Sequence, residues 1–322
     1  MTDYNGIIQR SDTSALMPEE VSREIIKNVP QQGSLALKLA RRLPNMSRAQ
    51  QRMPVLSALP IAYFVNEAPQ ADGSDVKKVT EMAWANKYLD VAEVACIVPI
   101  PENVLDDVDY DIWSEVRPSI EDAIGKVIDA AILYGTAAPT VWPTNILTAA
   151  TAAGNVVESG TGADLYDDLL GEDGVVSKIE ADGYFMTGSI AAMSMRSKFR
   201  GQRDAEGQPI FTKTPQEATQ YQFDGAPVEF PRSGVFDPSK ALLIAGDFQQ
   251  MVYSIRQDIT YKMLTEAVIT DQNKAIIYNL PQEDMVAMRV TMRLAWQVPN
   301  PINYLQPTEG SRYPFGILTP AS

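Results

Sequence analysis

Three aspartates at alternating positions have the spacing in this chain that most directly suggests chemistry. Asp107, Asp109 and Asp111 match the first half of a calcium-binding loop, in which alternate side chains offer oxygens to the ion. That loop also needs glycine at its sixth position and glutamate at its twelfth, where this chain has Ile112 and Pro118. We interpret the aspartates as acidic residues that open a helix and favour its dipole. We therefore predict no metal site.

Two shorter motifs match the beginnings of catalytic sequences. Asp12-Thr13-Ser14 is similar to the start of an aspartic protease motif, but that chemistry needs two carboxylates held together and the chain has no second copy. Ser74 and Lys77 have the Ser-x-x-Lys spacing of penicillin-recognising enzymes. A hairpin tip rich in glycine and aspartate cannot form the helical turn that would bury the lysine. We predict no catalytic residue in either motif.

Carboxylates and tryptophans are the remaining features that would serve a carbohydrate-active enzyme. The chain has 41 acidic residues, and no spacing singles out two of them as the acid and base of glycoside hydrolysis. Tryptophans stack on sugars and bases, and the chain has four, Trp84, Trp113, Trp142 and Trp296. Three of them lie in apolar patterns, which favours packing in the core.

The composition excludes several classes of protein. Acidic residues outnumber basic ones by 41 to 27, for a net charge of -14, which opposes the phosphate binding on which DNA recognition depends. There is no histidine, and Cys96 is the one cysteine. Disulfides within the chain, Cys/His zinc sites and histidine-dependent triads are therefore excluded. We expect no cofactor.

Neither the N-terminus nor the uncharged middle of the chain predicts a membrane segment. The first residues have no apolar stretch behind a basic start, so they do not form a signal peptide pattern, and we expect synthesis in the cytoplasm. Residues 130–157 carry no charge and are long enough to span a bilayer. Glycines, prolines and threonines interrupt them, among them Gly135, Pro139 and Pro143, so we predict no membrane helix.

A long strand and a long helix are the clearest elements. From Val286 to Val298 every second residue is apolar, which predicts a strand of about 43 Å with one buried face. From residue 111 to 134 apolar residues recur every three or four positions until Gly135, which predicts a helix of about 36 Å. Pro118 removes one hydrogen bond of this helix and should bend it. The two elements match in length.

The segments before the long helix predict an arm and a hairpin. Residues 34–43 have the apolar spacing of a short helix that docks by a narrow face. Two strand-like runs, 53–65 and 79–100, flank a polar tip of turn-forming residues, which predicts a long hairpin. A hairpin of this length has too little core to stand alone in water. We expect it to lie on another surface.

The chain between the long helix and the long strand predicts a mixed α+β lobe. Helical patterns occur near 163–179 and 189–202, and RDAEGQPIF at 203–211 has the composition of a turn into a strand. Two further strands are joined at Gly246-Asp247. No internal repeat accompanies them.

Five segments in order resemble the major capsid proteins of tailed bacteriophages, whose fold is named after phage Hong Kong 97. The segment from residue 84 to 135 resembles that family's extended loop, its return into the peripheral domain and its spine helix. The other four resemble, in turn, a connection, a turn, a Gly-Asp-Phe strand pair and the last long strand: TAAPTVWPTNIL, RDAEGQPIF, AGDFQQMVYSI and VAMRVTMRLAWQVPNP.

The resemblance implies an α+β fold of the Hong Kong 97 type, in which the long strand packs under the spine helix. The implied parts are an N-terminal arm, an extended β-hairpin loop, a peripheral domain with the spine helix and long strands, and a mixed α/β axial domain. Their predicted ranges are 1–50 for the arm, 51–92 for the loop, 93–135 and 282–322 for the peripheral domain, and 136–281 for the axial domain.

The resemblance implies a structural protein without an active site. Pentamers and hexamers of this chain would assemble into an icosahedral virion head around double-stranded DNA, without sequence-specific binding. Because about fifty residues precede the loop, a separate scaffolding protein or an already trimmed chain is expected. Portal and decoration proteins are further implied partners. The alternatives are an encapsulin-like compartment of the same fold and, from another class, a carbohydrate-active hydrolase.

Six residues are predicted contacts between copies. They are Arg41, Arg42, Lys77, Lys78, Trp84 and Asn300. Some relatives join a loop lysine to an asparagine of a neighbour, and here Lys77 or Lys78 would meet Asn300 or Asn303. Neither pair aligns with the family's motif, and solvated lysines are common at loop tips, so we do not predict the cross-link.

Overall fold

The computed structural model describes residues 33–62, 64, 79–107, 112–203, 221–271 and 273–321. The helices are α1 (Leu35–Leu39), α2 (Glu102–Asp107), α3 (Ile112–Tyr134), α4 (Ile146–Ala153), α5 (Leu165–Leu170), α6 (Val175–Ala181) and α7 (Met195–Gly201). The strands are β1 (Arg41–Arg42), β2 (Gln50–Ala58), β3 (Ala83–Asp90), β4 (Ala92–Pro101), β5 (Val156–Glu158), β6 (Gly188–Ala191), β7 (Gln222–Phe223), β8 (Ala226–Glu229), β9 (Leu243–Gly246), β10 (Val252–Leu264), β11 (Val268–Thr270), β12 (Ile276–Asn279), β13 (Met285–Gln297) and β14 (Phe315–Thr319).

Within the described residues these strands form two larger sheets and two hairpins. The four-stranded sheet has the order β1-β10-β13-β4, and the six-stranded sheet has the order β5-β14-β9-β6-β8-β7. The pairs β2-β3 and β11-β12 form separate two-stranded sheets. The fold is thus α+β with two lobes, each built on one of the larger sheets.

The predicted long strand is confirmed within one residue at each end. β13 pairs antiparallel along its length with β10 on one side and β4 on the other. Its alternating apolar residues are buried: Met288, Val290, Met292, Leu294 and Trp296. Because side chains alternate between the two faces of a strand, one face of β13 lies in the core throughout.

The predicted long helix is also confirmed. α3 buries a stripe of isoleucines with a spacing of four residues, Ile120, Ile124, Ile128 and Ile132, in the same core as the apolar face of β13. It packs against β4, and the hydroxyl of Tyr261 in β10 donates a 2.6 Å hydrogen bond to the carboxylate of Glu121. The helix ends at a glycine, residue 135, which has φ of 70°.

The predicted arm helix of residues 34–43 is wrong in its second half. α1 ends at Leu39, and Arg41 and Arg42 form β1, which runs parallel to the start of β10. The amide of Arg41 donates to the carbonyl of Met251 at 2.9 Å, and that of Leu43 donates to Tyr253 at 2.8 Å. The edge of β10 offers unpaired backbone groups, and pairing with them replaces the last turn of the helix.

The predicted hairpin is confirmed, but its second run divides into two strands. β3 pairs with β2, and the chain then passes Val91 and enters β4 in the four-stranded sheet. The tip between residues 65 and 78 lies outside the described residues. Val91 is therefore where the hairpin joins the body of the protein.

The mixed lobe differs from its prediction in three places. The helix expected near 163–179 divides into α5 and α6, because the chain turns between Gly171 and Gly174. The helix expected from residue 189 begins as the buried strand β6, and α7 starts only at Met195. Helix α4 and the hairpin of β11 and β12 were not predicted.

Other expectations for this lobe have mixed outcomes. The two strands joined at Gly246-Asp247 are confirmed as β9 and β10, with a short 3₁₀ turn between them. The turn expected at 203–211 lies outside the described residues except for Arg203.

Two strands pair with strands that lie in a different predicted domain range. β10 falls within 136–281, assigned to the axial domain, but it pairs with β13 in the four-stranded sheet. β14 falls within 282–322, assigned to the peripheral domain, but it lies between β5 and β9 in the six-stranded sheet. Pairing between distant strands is not visible in local sequence patterns, and the domain ranges remain a prediction.

A close backbone approach joins the arm to α3 and yields a prediction. A Cβ atom on Gly125 would overlap the carbonyl group of Gly33. Alanine is better than glycine inside a helix by about 1 kcal/mol, yet we expect Gly125→Ala to lower the free energy of unfolding by about 1 to 3 kcal/mol because of the overlap. Urea unfolding of the unassembled chain measures this change.

The matched control is Gly201→Ala at the end of α7. No atom lies within 4 Å of the position that its Cβ would take. We expect this variant to be neutral or slightly stabilised. A Gly125→Ala protein as stable as this control would contradict the close contact.

Candidate assembly surfaces

Two clefts in the described part of the chain each have a single carboxylate in their lining. The larger cleft, of about 650 Å³, has Glu309 as its one acidic lining residue, and Lys87 forms a 2.6 Å ion pair with it. A second cleft, of about 560 Å³, has only Glu229, which is paired with Lys38 at 2.6 Å. Glycoside hydrolysis needs an acid and a second carboxylate. These clefts therefore do not match the carbohydrate-active alternative.

One face of the hairpin presents a tryptophan, a tyrosine and an arginine to solvent. Trp84 and Tyr88 of β3 are 63% and 43% exposed, and Arg52 lies directly opposite Tyr88 on β2. Leu56 lies opposite Trp84 on the same face. Tryptophan, tyrosine and arginine are the residues most enriched where proteins bind each other tightly. This surface, the hairpin face, has the composition of a binding surface.

The root of the hairpin is packed against the body. Leu89 is fully buried in a small cluster with Met46 of the arm and Ala295 of β13. The amide of Ile302 donates to the carbonyl of Leu56 at 3.2 Å, and the hydroxyl of Tyr304 donates to the carbonyl of Pro60 at 2.9 Å. These contacts hold one side of the hairpin and leave the hairpin face open.

A buried carboxylate anchors the arm to the long helix. Asp129 of α3 is 2% exposed and accepts hydrogen bonds from the Ser34 hydroxyl and from the amides of Leu35 at 3.0 Å and Ala36 at 3.1 Å. Those amides belong to the first turn of α1 and have no partner within that helix. Burial raises the pKa of Asp129 to about 6, although the three donated bonds oppose the rise. The carboxylate is therefore ionised at neutral pH.

The segment between the arm anchor and the hairpin is rich in exposed arginine. Residues 41–52 contain Arg41, Arg42, Arg48 and Arg52, all exposed, and no acidic residue. Arg42 donates to the Asn45 side chain at 3.1 Å. The predicted contacts Arg41 and Arg42 are thus accessible. Lys77 and Lys78 lie outside the described residues.

The remaining predicted contact, Asn300, is bonded within its own chain. Its side-chain oxygen accepts from the Tyr184 hydroxyl at 2.9 Å and from Nε of Arg312 at 3.1 Å, and its amide donates to the carbonyl of Arg312 at 2.7 Å. The amide of Asn303 donates to the carbonyl of Asp182 at 2.7 Å. Both asparagines therefore stabilise the loop between β13 and β14.

Sequence reasoning missed Asp129 and Arg312. Arg312 is 2% exposed and donates to the carbonyls of Gln306 at 2.6 Å and Asn300 at 3.0 Å. No sequence pattern marks it. The sequence does indicate a special role for Asp129, because this residue is a lone charge among the apolar residues at the end of α3. A charge on a buried face must have a partner.

Neither a metal-binding cluster nor a membrane-spanning helix occurs in the described residues. Across the part of the chain that the structure describes, no three His, Cys, Asp or Glu side chains are grouped so that they would hold a metal ion. None of the helices in that part has the length and apolar character to cross a membrane.

Known proteins match this chain along most of its length. The model of the phage capsid family matches residues 13–306. The chain is 24% identical over 299 residues to the major capsid protein of Staphylococcus phage 80alpha, covering 91% of this chain and 85% of that protein. A solved chain of Microbacterium phage Oxtober96 is 32% identical with a TM-score of 0.83, covering 98% of this chain and 100% of that one. One of Mycobacterium phage Adephagia is 30% identical with a TM-score of 0.83, covering 98% and 99%.

The raised pKa of Asp129 gives a pH-dependent prediction. A folded-state pKa above the ordinary value means that this group stabilises the fold most below pH 4 and loses that contribution as the pH rises through about 6. We expect the free energy of unfolding of the wild type, relative to Asp129→Asn, to fall by about 1.4 kcal/mol between pH 5 and pH 7.5. Urea unfolding at several pH values measures the difference.

The control for this titration is Asp173→Asn, which removes the same charge from an exposed position. Its stability relative to the wild type, measured over the same pH range, is the reference against which the change at Asp129 is compared. If the free energies of unfolding of Asp129→Asn and of the wild type differed by the same amount at every pH, the carboxylate would not be buried as described.

Proposed function

The chain belongs to the phage capsid family, and from that membership we propose that it is the major capsid protein of a tailed phage. Copies of it would assemble through pentamers and hexamers into the icosahedral head that encloses double-stranded DNA. The family is one of structural proteins, not of enzymes. We propose further that no bond is made or broken by this chain.

The observation that carries the proposal is the apolar surface of the hairpin. Large apolar side chains on and beside it are exposed to solvent: Ile61 (70%), Phe64 (97%), Val79 (99%), Met82 (46%) and Trp84 (63%). A monomer that functions alone rarely exposes so many large apolar side chains on one hairpin. The root of the hairpin packs on the body, and these exposed side chains are not part of that packing. They therefore need cover from another copy.

Contacts of this kind generate a closed shell when they repeat. A hairpin that covers a different surface of its neighbour makes a head-to-tail contact, and such contacts form rings when the rotation closes. We propose Arg41, Arg42 and Trp84 as contacts between copies, together with Lys77 and Lys78 of the hairpin tip. Asn300 remains a predicted contact, with its side-chain amide already bonded within the chain.

The proposed partners other than further copies are a scaffolding protein, a portal and decoration proteins. The net charge of -14 supports a shell that encloses DNA without adhering to it, because like charges repel. A strongly basic inner surface in the assembled shell would contradict this statement. The protein would be made in the cytoplasm of the bacterial host and reside in the virion.

The two alternatives are not favoured. The relatives described above come from phages, which argues for a virus head over an encapsulin-like compartment. The two clefts described above lack the carboxylate pair that a carbohydrate-active hydrolase needs. Purified particles that contain DNA and carry tails support the virus head, and particles filled with a cargo enzyme support the compartment.

The direct test is electron microscopy of the expressed chain, alone and with the scaffolding protein of the same phage. We expect closed icosahedral particles in at least one of the two conditions. A chain that remains monomeric in both conditions, at concentrations where relatives assemble, would overturn the proposal.

The hairpin face gives a more specific prediction. Trp84→Ala removes an exposed side chain, so we expect thermal unfolding of the monomer to change little. Truncating an aromatic residue at the centre of an interface typically costs about 2 kcal/mol or more, so assembly should need a concentration at least about tenfold higher. Light scattering against protein concentration measures this threshold.

Trp84→Phe is the matched control, because it keeps an aromatic ring at the same position. We expect it to assemble at close to the wild-type concentration. Equal assembly by Trp84→Ala and the wild type would show that the hairpin face is not an interface.

A further inference from the structure

The two edges of the six-stranded sheet carry opposite charges. Its strand order places β5 at one edge and β7 at the other. Helices α5 and α6 lie at the β5 side, where α6 packs on β14. Helix α7 lies at the β7 side, where the ring of Phe199 meets that of Phe230, the residue after β8, at 6.5 Å. The edges are separated by the width of the sheet, about 24 Å for five strand spacings.

The β5 side has an acidic edge, formed by Asp164, Asp167, Glu172 and Asp173. All four are exposed. No lysine or arginine occurs between residues 127 and 177. The next base, Lys178, donates its Nζ hydrogens to the carbonyls of Gly154 at 3.2 Å and Val156 at 2.8 Å. It therefore binds backbone oxygens and not these carboxylates.

The acidic edge is held rigidly by its own fold. The buried carboxylate of Asp168 accepts from the amides of Gly160 and Gly162, both at 2.7 Å, and so ties α5 to the loop after β5. The side chain of Asp164 caps α5 by accepting from the amides of Tyr166 and Asp167. The exposed carboxylates thus have a fixed position beside the sheet.

The β7 side has a basic edge, formed by Arg196, Lys198, Arg200 and Arg203. The segment 195–203 contains these four bases and no acid. Arg196 is fixed, because its guanidinium lies 5.0 Å from the ring centre of Tyr221 and 5.5 Å from that of Phe230. The other three side chains are exposed and form no ion pair within the described residues. The nearby Glu229 is already paired with Lys38.

We propose that the acidic edge of one copy docks against the basic edge of the next copy around each capsomer ring. The two edges of a single chain cannot reach each other across the sheet, whereas a head-to-tail contact brings edge to edge at every step. An edge without a partner holds several charges of the same sign close together. Complementary charges across a contact select the partner and fix its orientation. This proposal rests on the proposed function, because it assumes that copies form rings.

The test exchanges charges between the two edges in the full chain. The basic-edge variant Lys198→Glu, Arg200→Glu and the acidic-edge variant Asp167→Lys, Asp173→Lys each turn an edge of four like charges into one with two charges of each sign, which removes its net attraction for the opposite edge. We expect each to raise the concentration needed for ring and shell assembly by at least about tenfold at low salt. The four-substitution variant exchanges the signs at the substituted positions, so its new Glu and Lys side chains attract each other across the contact, and it should assemble at a lower concentration than either reversal variant.

Two controls separate charge from other causes. Lys198→Arg with Arg200→Lys keeps the charge and should assemble as the wild type does. Thermal unfolding of every variant as a monomer should match the wild type, because the substituted side chains are exposed. Assembly of the wild type should also require more protein as salt rises, since charges separated by more than about 10 Å are screened at 0.1 M.

Each outcome is informative. Rescue by the four-substitution variant supports the edge-to-edge contact. If the two reversal variants assemble as readily as the wild type, or if the four-substitution variant is folded but not rescued, the contact is overturned and the proposed function stands. If the wild type itself never assembles, with or without its scaffolding protein, the proposed function fails.

Discussion

The pairing of β13 on both sides is the interaction on which the rest of the structure depends. β10 and β4 both reach their places by pairing with this strand, and α3 shares the core formed by its apolar face. Each fully buried apolar side chain along it stabilises the fold by about 1.5 to 3 kcal/mol. Trp296 closes the core at the far end, where its ring meets that of Trp142 edge to face at 6.3 Å. An error of one residue in register would turn this whole face outward.

The limbs of the protein are attached to that frame at a few defined points. Asp129 holds the first turn of α1 on α3, and β1 then adds to the edge of β10. The Ser254 hydroxyl of β10 donates to the carbonyl of Pro44 at 2.6 Å, which fixes the next part of the arm. Leu89 and Met46 pack together on Ala295 of β13. The arm and hairpin therefore leave the body in directions set by the four-stranded sheet, which is what repeated contacts between copies require.

The lobe built on the six-stranded sheet has a different organisation. Its core is a sheet of short buried strands, such as β6 and β9, covered by short helices. Gly316 of β14 shows how closely α6 approaches, because a Cβ there would lie 3.0 Å from Val175. Charged residues are collected at the two sides of this sheet. The first lobe thus offers apolar limbs to its neighbours, and the second offers charged sides.

The accuracy of the sequence prediction followed the range of the interactions involved. β13 and α3 were predicted within one residue at each end because their apolar residues repeat many times, with periods of two and about 3.6 residues. The short elements of the second lobe were harder. α5 and α6 were merged, and β6 was taken for helix, because four buried residues such as Gly188–Ala191 fit either period. Asp129 and Arg312 depend on partners far along the chain.

The sequence by itself determined the class of fold, the long helix, the long strand and the hairpin, because apolar periodicity is a local property that each segment carries with it. It also determined the net charge and the absence of histidine chemistry. Only the tertiary structure decided that β10 and not a neighbour in sequence pairs with β13, that the arm changes from helix to strand at Arg41, and that the acidic and basic segments lie at opposite sides of one sheet. Those outcomes depend on which distant backbone groups and surfaces come into contact. Burial of the shared apolar core determines these contacts, and the core includes residues from the whole chain.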